Sequence, residues 1–147
     1  MTCTECNQSI NADTERLSRE LFGVILCQRH MKLLQGIVKE NHTPIEAIQL
    51  YYALKKAGTH PMLEWWNGKK SIDIAISRVK LNIEIETNYQ IITQEEGIHN
   101  LEEATHSFKN GFTTIRIPNV VIKYYLEQTV KNILGIIQGL KLNLRVI

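Results

Sequence analysis

The sequence predicts an α/β layer fold with a sheet of about four strands, preceded by a small metal-binding head. Three observations carry this reading. All three cysteines lie within the first 27 residues. Residues 71–86 alternate apolar and polar side chains on both sides of a short loop, the period of paired strands. Apolar residues at 121, 122, 125, 126, 130, 133, 134 and 137 follow the helical period. With 147 residues, 44% hydrophobic and 22% charged, the chain has globular composition, which excludes a wholly disordered polymer. No apolar run approaches the ~18–20 residues of a membrane helix. The polar start, residues 1–16, lacks the apolar core of a signal peptide. A cytoplasmic protein without a membrane span is expected.

The head comes first. Cys3-x2-Cys6 is followed by a gap of 20 residues and then Cys27-x2-His30. An odd cysteine count in a cytosolic chain argues against a disulfide framework. Two close pairs of thiolate or imidazole ligands, each on a tight turn, suit tetrahedral zinc, and the long gap lets the turns meet. The alternative is two buried thiols, a stray cysteine and a surface His30. The zinc reading uses every cysteine and finds its fourth ligand at the expected offset. Phe22–Leu26 reads as a short strand, and Gln28 onward as a helix with His30 in its first turn, an arrangement like a treble clef. Residues 1–42 thus form a treble-clef-like zinc module ending in a polar hinge, Gly36–His42. So small a region lacks a core of its own, and the metal would supply folding free energy.

Residues 43–147 form the second domain. Thr43 reads as an N-cap, Pro44 as the first helical position and Glu46 as a capping-box partner. Apolar Ile45, Ile48, Tyr52 and Leu54 follow, with Lys55 and Lys56 suited to the C-terminal dipole. Met62–Trp66 is a strand candidate ending in a turn at Asn67-Gly68. Trp65 and Trp66 would point to opposite faces, so at least one packs in the core. Ser71–Ile76 and Leu81–Glu86 are further strands, 95–109 a helix, and Phe112–Ile117 a strand closed by Pro118. Asn119 then caps a last helix. The order is α-β-β-β-α-β-α.

The hairpin at 71–86 is the most informative stretch. Arg78-Val79 is poor chemistry for a two-residue primed turn, which needs positive φ. A four-residue loop, 77–80, pairs 76 with 81, 74 with 83, 73 with 84 and 72 with 85. One face then carries Ile72, Ile74, Ile76, Leu81, Ile83 and Ile85, and the other Ser71, Asp73, Ala75, Asn82, Glu84 and Glu86. A slip of one residue would bury the acids. In this register Asp73 opposes Glu84, and at ~5 Å and an effective dielectric near 20 the two repel by roughly 3 kcal/mol. A divalent cation, a neighbouring Lys or Arg, or a raised pKa relieves that repulsion. An open, water-washed sheet face would screen it equally well. Charge is also segregated along the chain. Six basic residues lie between Leu54 and Lys80, and six acids without Lys or Arg between Glu84 and Glu103. The net charge of +2 does not by itself argue for nucleic acid.

Asp73, ten residues, then Glu84-x-Glu86 resembles the core motif of the PD-(D/E)xK nuclease superfamily, acid-x(n)-acid-x-Lys. Gly111–Asn119 resembles the G-Y-x-T-x-R-I-P-N element of its very-short-patch-repair-like members. Some members also carry a CxxC…CxxH head. The resemblance implies a restriction endonuclease-like core over 43–147 and a Mg²⁺- or Mn²⁺-dependent endonuclease acting on nucleic acid, with DNA the expected substrate. It also leaves a homodimer open. Asp73 and Glu84 would bind the catalytic metal, with Glu86 in the place of the family's Lys or Asp. Gln90 stands where relatives carry a catalytic His, and Thr87 replaces a glycine. Asn100 and Glu103 fall where relatives show Asp and Arg, so a phosphate contact is lost and negative charge added. His99 or His106 could substitute for the missing His, but each reads first as an exposed polar residue of the helix. These departures keep a second reading alongside the first: a degenerate nuclease fold that binds nucleic acid or a protein partner without cutting.

Overall fold

Helix α3 (Ile45–Lys56) is apolar on two sides, and both halves of the chain pack on it. Ala47, Leu50 and Leu54 join the sheet core, while Ile48 and Tyr52 join a second cluster with Phe22, Leu26, Met31 and Leu34 of the head. The computed structural model describes residues 1–87 and 93–146, without the side chains of 144–146. The head consists of a cysteine turn closed by a Thr2–Ser9 bridge, then α1 (Ala12–Phe22) and α2 (Gln28–Asn41).

The sheet has four strands in sequence order: β1 (Met62–Trp66), β2 (Ser71–Ile76), β3 (Leu81–Glu86) and β4 (Thr113–Pro118). β1–β2 and β2–β3 are antiparallel, and β3–β4 is parallel. A parallel pair needs a crossover, which holds α4 (Gln94–Lys109). A 3-10 turn at Ser77–Val79 with Lys80 at φ 54° joins β2 to β3, so the expected four-residue loop is present. The observed pairs are Ile74 with Ile83, Ala75 with Asn82 and Ile76 with Leu81, the register expected from the alternation. All six apolar side chains of that face are buried. All but Ile72 share one core cluster with Ile122 of α5 (Asn119–Tyr124) and Ile133 and Ile137 of α6 (Leu126–Val146). No helix among the described residues is long and apolar enough to cross a membrane.

Several local expectations are corrected. Phe22 ends α1 and is not the start of a strand. Gly23 takes φ 77° there and caps α1 through its N–H on Arg19 O, a left-handed turn that favours glycine. Residues 24–26 are irregular, tied to the cysteine turn by Thr4 N–H donating to Ile25 O at 2.8 Å. Residues 36–41 continue α2, and the chain reverses at His42 with φ 56°, so no non-helical hinge precedes it. At the start of α3 the N-cap is Pro44, and the Thr43 hydroxyl bonds Glu64 across the structure. Glu46 accepts from the Asn119 side chain at 3.4 Å, so no capping box forms. Ile45 is exposed. The last helix is two helices, because the chain breaks at Tyr125, whose side chain and that of Val121 are exposed.

Candidate functional site

In the head, the Cys3–Cys6 turn and the first turn of α2 bring four donor atoms together. Cys3 Sγ lies 3.6 Å and Cys27 Sγ 3.2 Å from His30 Nδ1, and Cys6 Sγ lies 3.9 Å from Cys27 Sγ. All four atoms fall within 4.8 Å of one another. Ligands of one tetrahedral zinc stand about 3.5–3.8 Å apart, so the spacing and the donor chemistry both suit that ion. Although burial works against a thiolate at Cys3, backbone N–H groups of Cys27, Cys6 and Glu5 lower its pKa to about 6. At Cys6 the backbone of Gln8 favours the thiolate, but partial desolvation and the sulfurs of Cys3 and Cys27 outweigh it and raise the pKa. That mutual opposition is what a bound dication removes. Cys3 and Cys27 also sit inside the apolar cluster shared with α3, so a metal here would pin the head to the second half of the chain.

The second site lies on the other face of the sheet. The open, water-washed reading of that face does not hold, because α4 covers it. Ala75 and Asn82 are buried, and the Asn82 side chain donates to Ser107 of α4 at 3.3 Å. Continuing the β2–β3 offset puts Asp73 across from Glu84, whose side chain is also buried. The ladder opens at this point: the Ile85 N–H donates to Asp73 Oδ2 at 2.8 Å. Burial pushes the Asp73 carboxyl up to about 6, opposed by the Ile85 N–H and reinforced by the charge of Glu64. Burial and then the neighbouring Asp73 charge push Glu84 up to about 7. Glu84 Oε1 is buried without a hydrogen-bond partner.

Two cations answer these acids. Lys70, at the end of the 67–70 loop, places Nζ 3.6 Å from Glu84 Oε2 and 2.9 Å from Glu103 Oε2. Burial opposes its charge, but Glu103 and Glu84 outweigh that and raise its pKa. Arg116 sits beside Glu84 in the β3–β4 register and reaches Glu103 Oε2 at 3.9 Å. His99 Nε2 lies 2.7 Å from the other oxygen of Glu103. Glu64 has φ 52° inside β1, a left-handed conformation rare for a residue with a Cβ. Its carboxylate accepts from Thr43 and Ser71.

Asp73 and Glu84 therefore come together as expected. Glu86 is half-buried at the end of β3 beside Pro118 and, among the described residues, has no hydrogen bond or ion pair. Gln90 lies outside the described residues. Among the described residues, the head cluster is the one set of three or more ligand side chains converging on a single point, and the carboxylates do not form another. The sequence reading missed Glu64 and Lys70. A four-residue loop at 67–70, closed by Asn67 N–H on Lys70 O at 3.1 Å, gives β1–β2 pairs that set Glu64 opposite Asp73. That register was open to the same argument as the 71–86 hairpin. Trp65 lies against Phe112 with ring centroids 5.1 Å apart, and Trp66 is exposed. Comparisons with family models, curated proteins and solved structures find no match for this chain.

Proposed function

We propose that this chain is a divalent-metal-dependent endonuclease of restriction endonuclease-like architecture, acting on DNA, with a structural zinc in its head. The observation that carries the reading is the opposed pair of a half-buried Asp73 and a buried Glu84, with one Glu84 oxygen left unpartnered and Lys70 beside the other. The order α3-β1-β2-β3-α4-β4, with its parallel last pair, supports it as the topology the motif implies. Asp73 and Glu84 would hold the ion. Mg²⁺ is commonly bound by one or two carboxylates together with water and substrate phosphate, so a full protein cage is not required. Bound there, it supplies Lewis acidity to the phosphate and lowers the pKa of an attacking water. Lys70, 3.6 Å from Glu84, would supply a positive charge to a phosphate held there, a role that Glu86 cannot fill. In the head, Cys3, Cys6, Cys27 and His30 would hold zinc, and with four protein ligands the ion would have a structural role.

The test is cleavage of single- and double-stranded DNA and RNA with Mg²⁺ or Mn²⁺ by wild type and by Asp73→Asn and Glu84→Gln, prepared identically. Loss of cleavage in both variants with folding intact supports the reading, and equal cleavage by all three refutes it. The second reading, a nuclease-fold module that binds without cutting, draws on the carboxylates not converging as a ready ligand set. Nucleic-acid binding with no cleavage in any condition would select it.

A further inference from the structure

We propose that Lys70 and Arg116 form a phosphate oxyanion site that Glu103 fills from within, so that Glu103 restrains the affinity of the chain for phosphate ligands. The inference rests on the nuclease reading only for the identity of the ligand. Its basis is geometric. Two cations from separate elements, a hairpin loop and β4, approach the same carboxylate oxygen, Glu103 Oε2, at 2.9 and 3.9 Å. A third group, His99, lies 2.7 Å from the other oxygen. A carboxylate hydrogen-bonded by a lysine, with an arginine within 3.9 Å and a histidine against its other oxygen, occupies the position of an anionic ligand. The side chains of Lys70 and Arg116 remain 29% and 26% exposed, so an incoming oxyanion reaches them from solvent. An arginine fork beside a lysine point charge suits a phosphate, which has more acceptor oxygens than a carboxylate.

The site also borders the opposed carboxylates Asp73 and Glu84. Lys70 Nζ is 3.6 Å from Glu84 Oε2, and Arg116 is the β4 neighbour of Glu84 in register. A phosphate exchanged for Glu103 would therefore rest beside Asp73 and Glu84. While Glu103 holds both cations, that exchange is opposed.

The experiment measures binding, with the head zinc retained and no Mg²⁺ or Mn²⁺ added so that no turnover occurs, of a short DNA duplex and separately of inorganic phosphate. It compares wild type with Glu103→Gln and with Glu102→Gln. Glu102 is the neighbouring exposed acid of α4, so its variant makes the same charge change away from the cations. Glu103→Gln is expected to tighten duplex binding about tenfold at low salt and to steepen the log–log salt dependence by roughly 1–2. Glu102→Gln should give a small fraction of that gain. Glu103→Asp keeps the charge but withdraws it by one methylene, and should fall between wild type and Glu103→Gln. It also serves where Glu103→Gln fails to fold. Adding Lys70→Ala or Arg116→Ala to Glu103→Gln should cancel the gain. A gain for the duplex assigns the site to nucleic-acid phosphate, and a gain for inorganic phosphate alone assigns it to a free phosphate ligand. Equal effects of Glu103→Gln and Glu102→Gln, or a gain that survives loss of both cations, would overturn the proposal. Because no step requires cleavage, a chain that binds as expected but never cuts would refute the nuclease reading and leave this site standing.

Discussion

The opposed carboxylates should make the metal-free protein lose stability as pH rises. Asp73 is pushed up to about 6 and Glu84 to about 7, mainly by burial. The folded chain therefore keeps protons that the unfolded chain has already released. The protonated pair contributes its full stability below about pH 4, and that contribution is lost as pH rises through the two folded values. Between about pH 6 and pH 8.5 the two groups together account for roughly 2 kcal/mol. At this chain length 1 kcal/mol moves a melting temperature by about 2–4 °C, so Tm should fall by about 4–8 °C across that window. Other groups titrate there too, including the head ligands. The informative quantity is the difference between wild type and Asp73→Asn/Glu84→Gln, measured by scanning calorimetry at matched ionic strength in chelator-free buffer with zinc retained. The double variant should lack this part of the slope. Millimolar Mg²⁺ at the upper pH should raise Tm in wild type and not in the double variant, because only the deprotonated pair can bind the ion. Parallel pH curves for the two proteins would refute the reasoning, since a solvated pair has no raised pKa to titrate.

Further outcomes follow from other parts of the molecule. Cys27→Ala should lower zinc content from about one ion per chain and destabilise α2 against α3, because Cys27 is both a ligand and a member of the shared core; atomic absorption and far-UV circular dichroism check this. Stable folding of zinc-free wild type under a strong chelator would remove the structural role of the metal. Ile83→Ala, at a fully buried position in the sheet core, should cost about 2–5 kcal/mol in denaturant unfolding. Glu64→Gln removes a charge that raises the Asp73 pKa, so carboxyl-carbon NMR titration should place Asp73 lower in that variant while burial keeps it above an ordinary aspartate.

Much of the architecture was legible in the residue order because it depends on local periodicity. The β2–β3 register follows from a strict alternation of isoleucines and polar residues, where a slip of one would bury Asp73 and Glu84 on the apolar face. The Cys/His spacing likewise announced four side chains on two turns that could hold a metal ion. Local signals were weaker where two structures compete for one residue. Thr43 has the chemistry of an N-cap, yet its hydroxyl goes to Glu64, and Asn119, read as a cap, bonds Glu46. Gly36 reads as a hinge in isolation, but α2 runs through it because Met31 and Leu34 are held in the core beside α3.

By itself, then, the sequence determined which residues share a strand face, which four side chains can meet as metal ligands, and the order of elements from α3 to β4. Only the tertiary structure decided that the polar sheet face is covered by α4, which turns an acid pair that water would screen into one with raised pKa values. It alone placed Lys70, Arg116 and His99 around Glu103. Strand alternation is a local property with a period of two residues, and it survives in the order of the chain. The distance between a hairpin lysine and a helix glutamate 33 positions later is set by how the layers dock, and no local period encodes it.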